Sequence, residues 1–418
     1  MSSDPVNYAQ MLQALSTLKK QGVQDFADAL KAVLAAVRPQ LAGPANTQAS
    51  PHGDHSDHSD GVVRASSDIM LTRKDVINQV YLDEAGNYSV KGYNARLEHS
   101  FGKIYLGLDK GADYDAQATE PNKAIRRITT PEAFALTLGI ARRAVATSPH
   151  PHAFDIADLM VILNKTLADL CTYWFGLPDD ISMVTGRMRE KDIVAPARCP
   201  GDFSYTSASV FKPKPDCMVT MAGQALGRLL KEAVTQFIAR HRAANTIPQA
   251  ALANAIFKAF PDDDELIGRT IIGVMMGFLP TTYFNLLFAV NEWWQSGEFK
   301  RLQDQLKGNS EPAFGRAVKV LELPLMQAMQ RRPMPDAVWR TAVKKHTLGT
   351  VEVNAGDMIH INIMQATQAD QKAGNTDVLP IFGGDRSKPV HPQHACPGQA
   401  LAMGVMLATV NAVLEPSP

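Results

Sequence analysis

Residues 380–404 read PIFGGDRSKPVHPQHACPGQALAMG, and the reading of the fold turns on the cysteine in that stretch. Cys396 stands in His394-Ala395-Cys396-Pro397-Gly398, directly before an apolar run (Ala400, Leu401, Met403, Met406, Leu407) at helical spacing. The thiol is therefore expected at a helix N-terminus, where unpaired backbone N–H groups and the positive dipole end favour a thiolate. Pro397 falls where a missing N–H costs little. Gly398, having no side chain, lets a flat ligand approach the backbone. A buried structural cysteine beside a turn is the plainer alternative.

The segment resembles the cysteine-ligand loop of the cytochrome P450 family, F-x-x-G-x-H-x-C-x-G followed by a small-residue helix. Phe382, Gly383, His394, Cys396, Gly398 and Ala402 agree with it in residue type. The spacing differs: Phe382 lies fourteen residues before Cys396, where the family has seven. The resemblance implies haem b (iron protoporphyrin IX) with Cys396 as axial ligand of the iron, and thiolate ligation favours O–O cleavage. It also implies that His394 reaches a haem propionate from the proximal loop, with Phe382 and Gly398 beside the cofactor. Arg386 and Lys388, within the excess residues, are read as solvated side chains, a redox-partner contact being the other option.

Composition bounds the remaining possibilities. The 418 residues are 45% hydrophobic and 20% charged, typical of a chain with a sizeable core. The formal net charge is zero, so nothing recommends nucleic acid or an acidic membrane surface as partner. Four cysteines without a CxxC pair disfavour a zinc site or disulfide framework and suit a reducing cytoplasm. The first residues lack the basic and apolar regions of a signal peptide. No apolar run reaches the roughly 18–20 residues of a membrane span.

Residues 1–40 read as an N-terminal helical extension, with Leu12, Leu15, Leu18, Phe26, Leu30 and Val33 at three-to-four spacing. Residues 41–66, rich in Gly, Pro, Ser, Asp and His, read as a flexible linker. Its His52, His55 and His58 are read as a solvated loop in preference to a metal site. Residues 67–418 form the main domain. Helices are predicted at 131–147, 154–175, 218–242, 264–295 and 397–414, and strands only in the last third, where LGTVEVNAGDMIHINI alternates around a turn at Asn354-Ala355-Gly356. The fold class is thus mainly α with small β-sheet segments. The resemblance makes it a cytochrome P450-like fold, with haem between a long central helix and the C-terminal cysteine loop.

The central run ELIGRTIIGVMMGFLPTTYFNLLFAVNEWW carries Pro280-Thr281-Thr282 at its middle. Proline inside a helix removes a hydrogen bond, at a cost of about 3 kcal/mol, and an interruption beside hydroxyls can open a groove. The family's matching helix crosses the haem with A-G-x-[D/E]-T-T. Aligned on the threonines, Gly277 and Phe278 take the small positions and Pro280 replaces the acid. The resemblance makes Thr281, Thr282 and Gly277 the oxygen-side residues, although the threonines can also serve only to satisfy freed carbonyls. A peroxide-using branch of the family has an arginine before such a proline; here that residue is Leu279.

MQAMQRRPMPDAVWR departs from the family's Glu-x-x-Arg motif: Gln327 and Gln330 stand where the glutamate and arginine belong, and they can still hydrogen-bond on one helix face but lack the charge-assisted pair. Arg340 matches the family's propionate-binding arginine. The chain's last residues, LEPSP, follow directly on the final helix where the family runs on into a β-hairpin, so the pocket is expected to be open or covered by residues 1–66 or another subunit.

The resulting expectation is a haem-thiolate oxidoreductase acting on a small or medium apolar organic substrate. The substrate reading rests on Met275, Met276, Phe278 and Leu279, with no fixed charge on the pocket helix. Oxygen would come from O2 with a ferredoxin or reductase donor, or from peroxide, including hydroperoxide rearrangement. The alternative is a haem-binding protein that performs no monooxygenation and serves ligand binding or sensing.

Overall fold

The computed structural model describes residues 61–148, 155–177, 203–215 and 217–415. The helical extension and the histidines of the linker lie outside them. Strand β1 (Val62–Ala65) falls inside the stretch read as linker and pairs antiparallel with β2 (Asp68–Leu71), so ordered structure starts before residue 67. The other strands are β3 (Tyr88–Ser89), β4 (Ala337–Ala342), β5 (His346–Leu348), β6 (Val351–Val353) and β7 (Met358–Asn362).

Helices dominate. In chain order they are α1 (Lys74–Leu82), α2 (Lys91–Leu97), α3 (Ala112–Arg126), α4 (Thr130–Ala146), α5 (Ile156–Phe175), α6 (Phe203–Phe211) and α7 (Cys217–Ala243). There follow α8 (Ala251–Ala259), α9 (Asp264–Ser296), α10 (Glu298–Lys307), α11 (Ala313–Ala317), α12 (Leu323–Arg331), α13 (Ile363–Lys372) and α14 (Gln399–Leu414). The five predicted helices are α4, α5, α7, α9 and α14, each within two residues of its expected ends. Local chemistry sets those ends. Thr129 and Glu132 form a capping box on α4, as do Asp155 and Asp158 on α5. Gly176 and Gly297, both left-handed, end α5 and α9.

The strands correct the expectation twice. The main sheet has the order β1-β2-β7-β4-β3 and takes three strands from residues 62–89, not only from the last third. The turn after Asn354 exists, with the Asp357 amide donating to the Asn354 carbonyl at 3.1 Å. Its two sides part company: β6 pairs with β5, while β7 runs between β2 and β4, parallel to the first and antiparallel to the second.

Helix α9 corrects a third expectation. It is long and apolar enough to cross a membrane by length and composition, but it is largely buried at the centre of the fold, against α5, α6, α7, α12 and α14. It continues unbroken through Pro280. Helix α14, apolar all round and buried nearly throughout, lies along α4. Gly404 permits that approach, because a Cβ there would stand 2.4 Å from the Thr130 carbonyl oxygen and 2.8 Å from the Ala133 Cβ. Gly404→Ala is therefore expected to overpack the α4–α14 contact and destabilise by about 1–3 kcal/mol. Urea unfolding with a lowered midpoint and unchanged slope would show this; an unmoved midpoint would mean that the helices separate freely.

Candidate functional site

A cavity of about 1100 Å³ lies between α9 and the cysteine loop. The eight residues read as cofactor-binding or oxygen-side line it: Gly277, Thr281 and Thr282 on α9, Arg340 on β4, and Phe382, His394, Cys396 and Gly398 on the loop.

The loop explains the unusual spacing. A short turn at Leu379–Phe382 ends in Gly383 and Gly384, with φ of 73° and 108°. A Cβ at Gly384 would meet the Pro392 ring at 2.6 Å, so only glycine lets the chain double back there. The chain then returns until the Cys396 amide donates to the Phe382 carbonyl at 2.7 Å, which makes residues fourteen apart in sequence neighbours in space. Arg386 is neither solvated nor turned outward. Its guanidinium donates to the Ala395 carbonyl at 2.6 Å and the Gln393 carbonyl at 2.5 Å, clamping the extra residues. Lys388 is exposed, 3.8 Å from Asp385, as a solvated residue should be.

Helix α14 starts at Gln399, so Cys396 precedes its first turn. One amide, that of Gly398, reaches the sulfur at 3.3 Å. Burial pushes the Cys396 thiol up, and the Gly398 amide and Arg386 pull against it. The thiolate expected from helix position alone thus needs a cation beside it. A Cβ at Gly398 would stand 3.8 Å from the sulfur and 3.4 Å from the Ile125 side chain, ordinary contacts, so the position borders the sulfur without being closed to a side chain.

His394 is half-buried, with its Nδ1 closed off from solvent, and its ring stands edge-on against Tyr114 at 5.2 Å. Burial first, then the nearby Arg340 and Arg386 cations, push its imidazolium down to about 3, against a hydrogen bond at the Leu108 backbone, so the ring is neutral. Its Nδ1 has no hydrogen-bond partner among the described residues. Arg340 donates to the Tyr93 hydroxyl at 2.6 Å and the Trp339 carbonyl at 2.8 Å, and no carboxylate among the described residues pairs with it. Two polar groups at the cavity wall therefore have capacity to spare.

On α9 the two threonines differ. Thr281 donates to the Gly277 carbonyl at 2.6 Å and lies 3.1 Å from that of Phe278, which leaves its hydroxyl committed to the helix. The Thr282 hydroxyl is buried and has no partner among the described residues. The opening beside them comes from missing side chains and not from a broken helix, since a Cβ at Gly277 would meet nothing within 4 Å. Met275, Met276 and Leu279 belong to the closed core, and of the four expected pocket residues only Phe278 reaches the wall. The pocket helix brings no charged residue to the cavity, as expected; the charge comes from other elements, as Lys212, Lys214, Arg332, Asp336 and Arg340.

The Gln–Gln pair is also corrected. Gln330 is fully buried and turns away from Gln327; its amide donates to the carbonyls of Asn375 and Asp377 at 3.0 and 3.1 Å. Lys74 ties the same segment by charge, 2.8 Å from Asp370 and 2.5 Å from Asp377. Two residues that the sequence left unread complete the wall. Tyr93 carries Arg340, and nothing in its surroundings marked it. Asn285, one turn beyond Thr281, was findable by helical spacing: its amide donates to the Thr281 and Met334 carbonyls and accepts from the Met334 amide, all at 2.8–3.0 Å.

No protein-family model and no curated protein matches the chain. Solved structures do. A ligand-free cytochrome P450 of Mycobacterium smegmatis superposes with a TM-score of 0.62 at 16% identity, over 92% of each chain. Cytochrome P450 260B1 of Sorangium cellulosum So Ce56 gives 0.61 at 15%, over 91% of this chain and 85% of its own. The LnmZ cytochrome P450 hydroxylase of the leinamycin biosynthetic pathway of Streptomyces atroolivaceus S-140 gives 0.60 at 18%, over 87% and 94%. The fold is the cytochrome P450 fold.

Gln330→Ala leaves two carbonyls without their donor, an expected cost of about 1–3 kcal/mol. Lys74→Met should lower the urea midpoint further. Midpoints unchanged in both variants would show that residues 375–377 are not held this way.

Proposed function

We propose that the chain is a haem-thiolate oxidoreductase of cytochrome P450 type, acting on an organic substrate by iron–oxygen chemistry. The observation that carries this is the convergence on one cavity of the Cys396 sulfur, of His394, whose Nδ1 has no hydrogen-bond partner among the described residues, and of Arg340, whose guanidinium pairs with no carboxylate among them. These groups fit haem b. Cys396 would ligate the iron, Arg340 would pair with a propionate through its guanidinium fork, and His394, Phe382 and Gly398 would flank the porphyrin. Thiolate-ligated haem supplies O–O bond cleavage and oxygen transfer.

The chain's own residues do the rest. Gly277 leaves space on the distal side, and the Thr282 hydroxyl is free to donate into it, while Thr281 serves the helix. Pro280 stands where the family's acid would be, so proton delivery there rests on a hydroxyl without a neighbouring carboxylate on α9. That supports peroxide or a hydroperoxide as oxygen source over O2 with a ferredoxin-type donor. The Phe382 carbonyl, the Gly398 amide and Arg386 fix the sulfur's position, as a ligand that must not rotate requires.

The test is the absorption spectrum of the reduced, haem-loaded protein under carbon monoxide. A strongly red-shifted Soret band, lost in Cys396→Ala, is expected; a colourless protein, or a band indifferent to that substitution, would sink the proposal. In peroxide-driven turnover, Thr282→Val should reduce the rate by about a hundredfold, and Thr281→Val by much less. Equal losses would remove the distinction between the two hydroxyls. A red-shifted band with no turnover of any reporter substrate would favour the ligand-binding or sensing alternative.

A further inference from the structure

The cavity's charge is one-sided. Among the described residues, Lys212, Lys214, Arg332 and Arg340 line it against one carboxylate, that of Asp336. Lys214 is neutralised from outside by Asp68. The haem reading, on which this inference rests, assigns Arg340 to the cofactor's propionates. Lys212 and Arg332 are left, and neither has an ion-pair partner among the described residues.

Arg332 is the better fixed of the two. It is the residue at which α12 ends, and its amide donates to the Ala328 carbonyl at 3.1 Å. Its guanidinium carbon stands 3.6 Å from the Phe288 ring centroid, over the ring face, and its N–H donors make no hydrogen bond among the described residues. Burial disfavours its charge while Asp336 nearby favours it. A half-buried guanidinium whose donors no described group accepts can take a ligand anion at the cavity wall in addition to the nearby Asp336.

The surroundings describe the rest of such a ligand. Phe278, Phe284, Phe288 and Trp174 line the same cavity. Trp174 and Phe278 meet edge to face at 5.5 Å, and Phe284 and Phe288 lie 5.6 Å apart. These aromatic walls can hold an aryl or hydrocarbon body, while Arg332 offers a bidentate partner to a carboxylate. We propose that the substrate is an apolar carboxylate, probed here as an arylalkanoate, whose carboxylate docks on Arg332 while its apolar body lies against the aromatic wall. The expectation of a purely apolar substrate is thereby replaced by an amphipathic, anionic one.

The experiment compares 4-phenylbutanoate with 4-phenylbutanamide and 4-phenylbutylamine on the haem-loaded full chain, by calorimetry and by the haem difference spectrum. The carboxylate should bind at least about tenfold more tightly than the amide, and the amine most weakly. In Arg332→Met, which keeps the stem over Phe288, the carboxylate's advantage should fall below about threefold; Arg332→Lys should retain part of it. Equal affinities for carboxylate and amide in the unaltered protein would overturn the proposal without any variant, and so would an advantage that survives Arg332→Met. A protein without the thiolate-haem spectrum fails the earlier reading instead. Calorimetry still decides the charge preference in that case, because it does not depend on the haem bands.

Discussion

The 2.7 Å bond from the Cys396 amide to the Phe382 carbonyl holds the site together. It closes a loop of thirteen intervening residues at the point where the sulfur must face α9. Closing a loop of that size has an entropic cost that grows only slowly with length, so an insertion is tolerated if its ends are tied. Arg386 supplies the tie from within, with two charge-assisted bonds to carbonyls on either side of His394. Such bonds contribute about 1.5–3 kcal/mol each. The loop can therefore carry seven more residues than the family's pattern and still present Cys396, Gly398 and His394 to one cavity.

A similar substitution of means occurs below α12. The family resemblance calls for a charged pair on one helix, and this chain has glutamines. The backbone beyond α13 is secured in two ways that need no such pair. Gln330 donates to two carbonyls from inside, and Lys74, far away in sequence on α1, bridges Asp370 and Asp377. Buried neutral donors avoid the desolvation cost of a buried ion pair. The lysine sits at a half-exposed position where that cost is small. Losing the motif therefore does not mean losing the constraint.

These two cases mark what was legible in the sequence. Helices α4, α5, α7, α9 and α14 could be read because each has an apolar period and several have side-chain caps or stop residues, such as Thr129, Asp155 and Gly176. The cysteine loop could be read from residue types alone. The parallel pairing of β2 with β7 could not, since Ile69 and Ile359 are brought together across most of the chain and alternation says nothing about which partner a strand takes. Nor could the open face of α9. That helix is apolar all round, so periodicity does not separate the core residues Met275, Met276 and Leu279 from the wall residues Gly277 and Phe278. The cavity's charge was hidden for another reason: Lys212, Arg332 and Arg340 come from α7's approach, α12's end and β4, and only the tertiary fold gathers them.

Asn285 joins the two ends of that cavity. It lies one turn beyond Thr281 on α9, and its amide grips both the amide and the carbonyl of Met334, two residues after Arg332. The same side chain donates to the Thr281 carbonyl, in the stretch of helix where Pro280 has removed a backbone N–H. The segment carrying Arg332 is thus pinned to the helix that carries Thr282 by two hydrogen bonds from one buried residue, and Phe288 stacks under Arg332 from that same helix. A group held at Arg332 is consequently held at a fixed distance from the Thr282 hydroxyl, because both are referred to α9. Positional selectivity in such a cavity follows from that shared frame: it needs no close fit around the whole substrate, only one anchored end and a rigid helix between anchor and reaction centre.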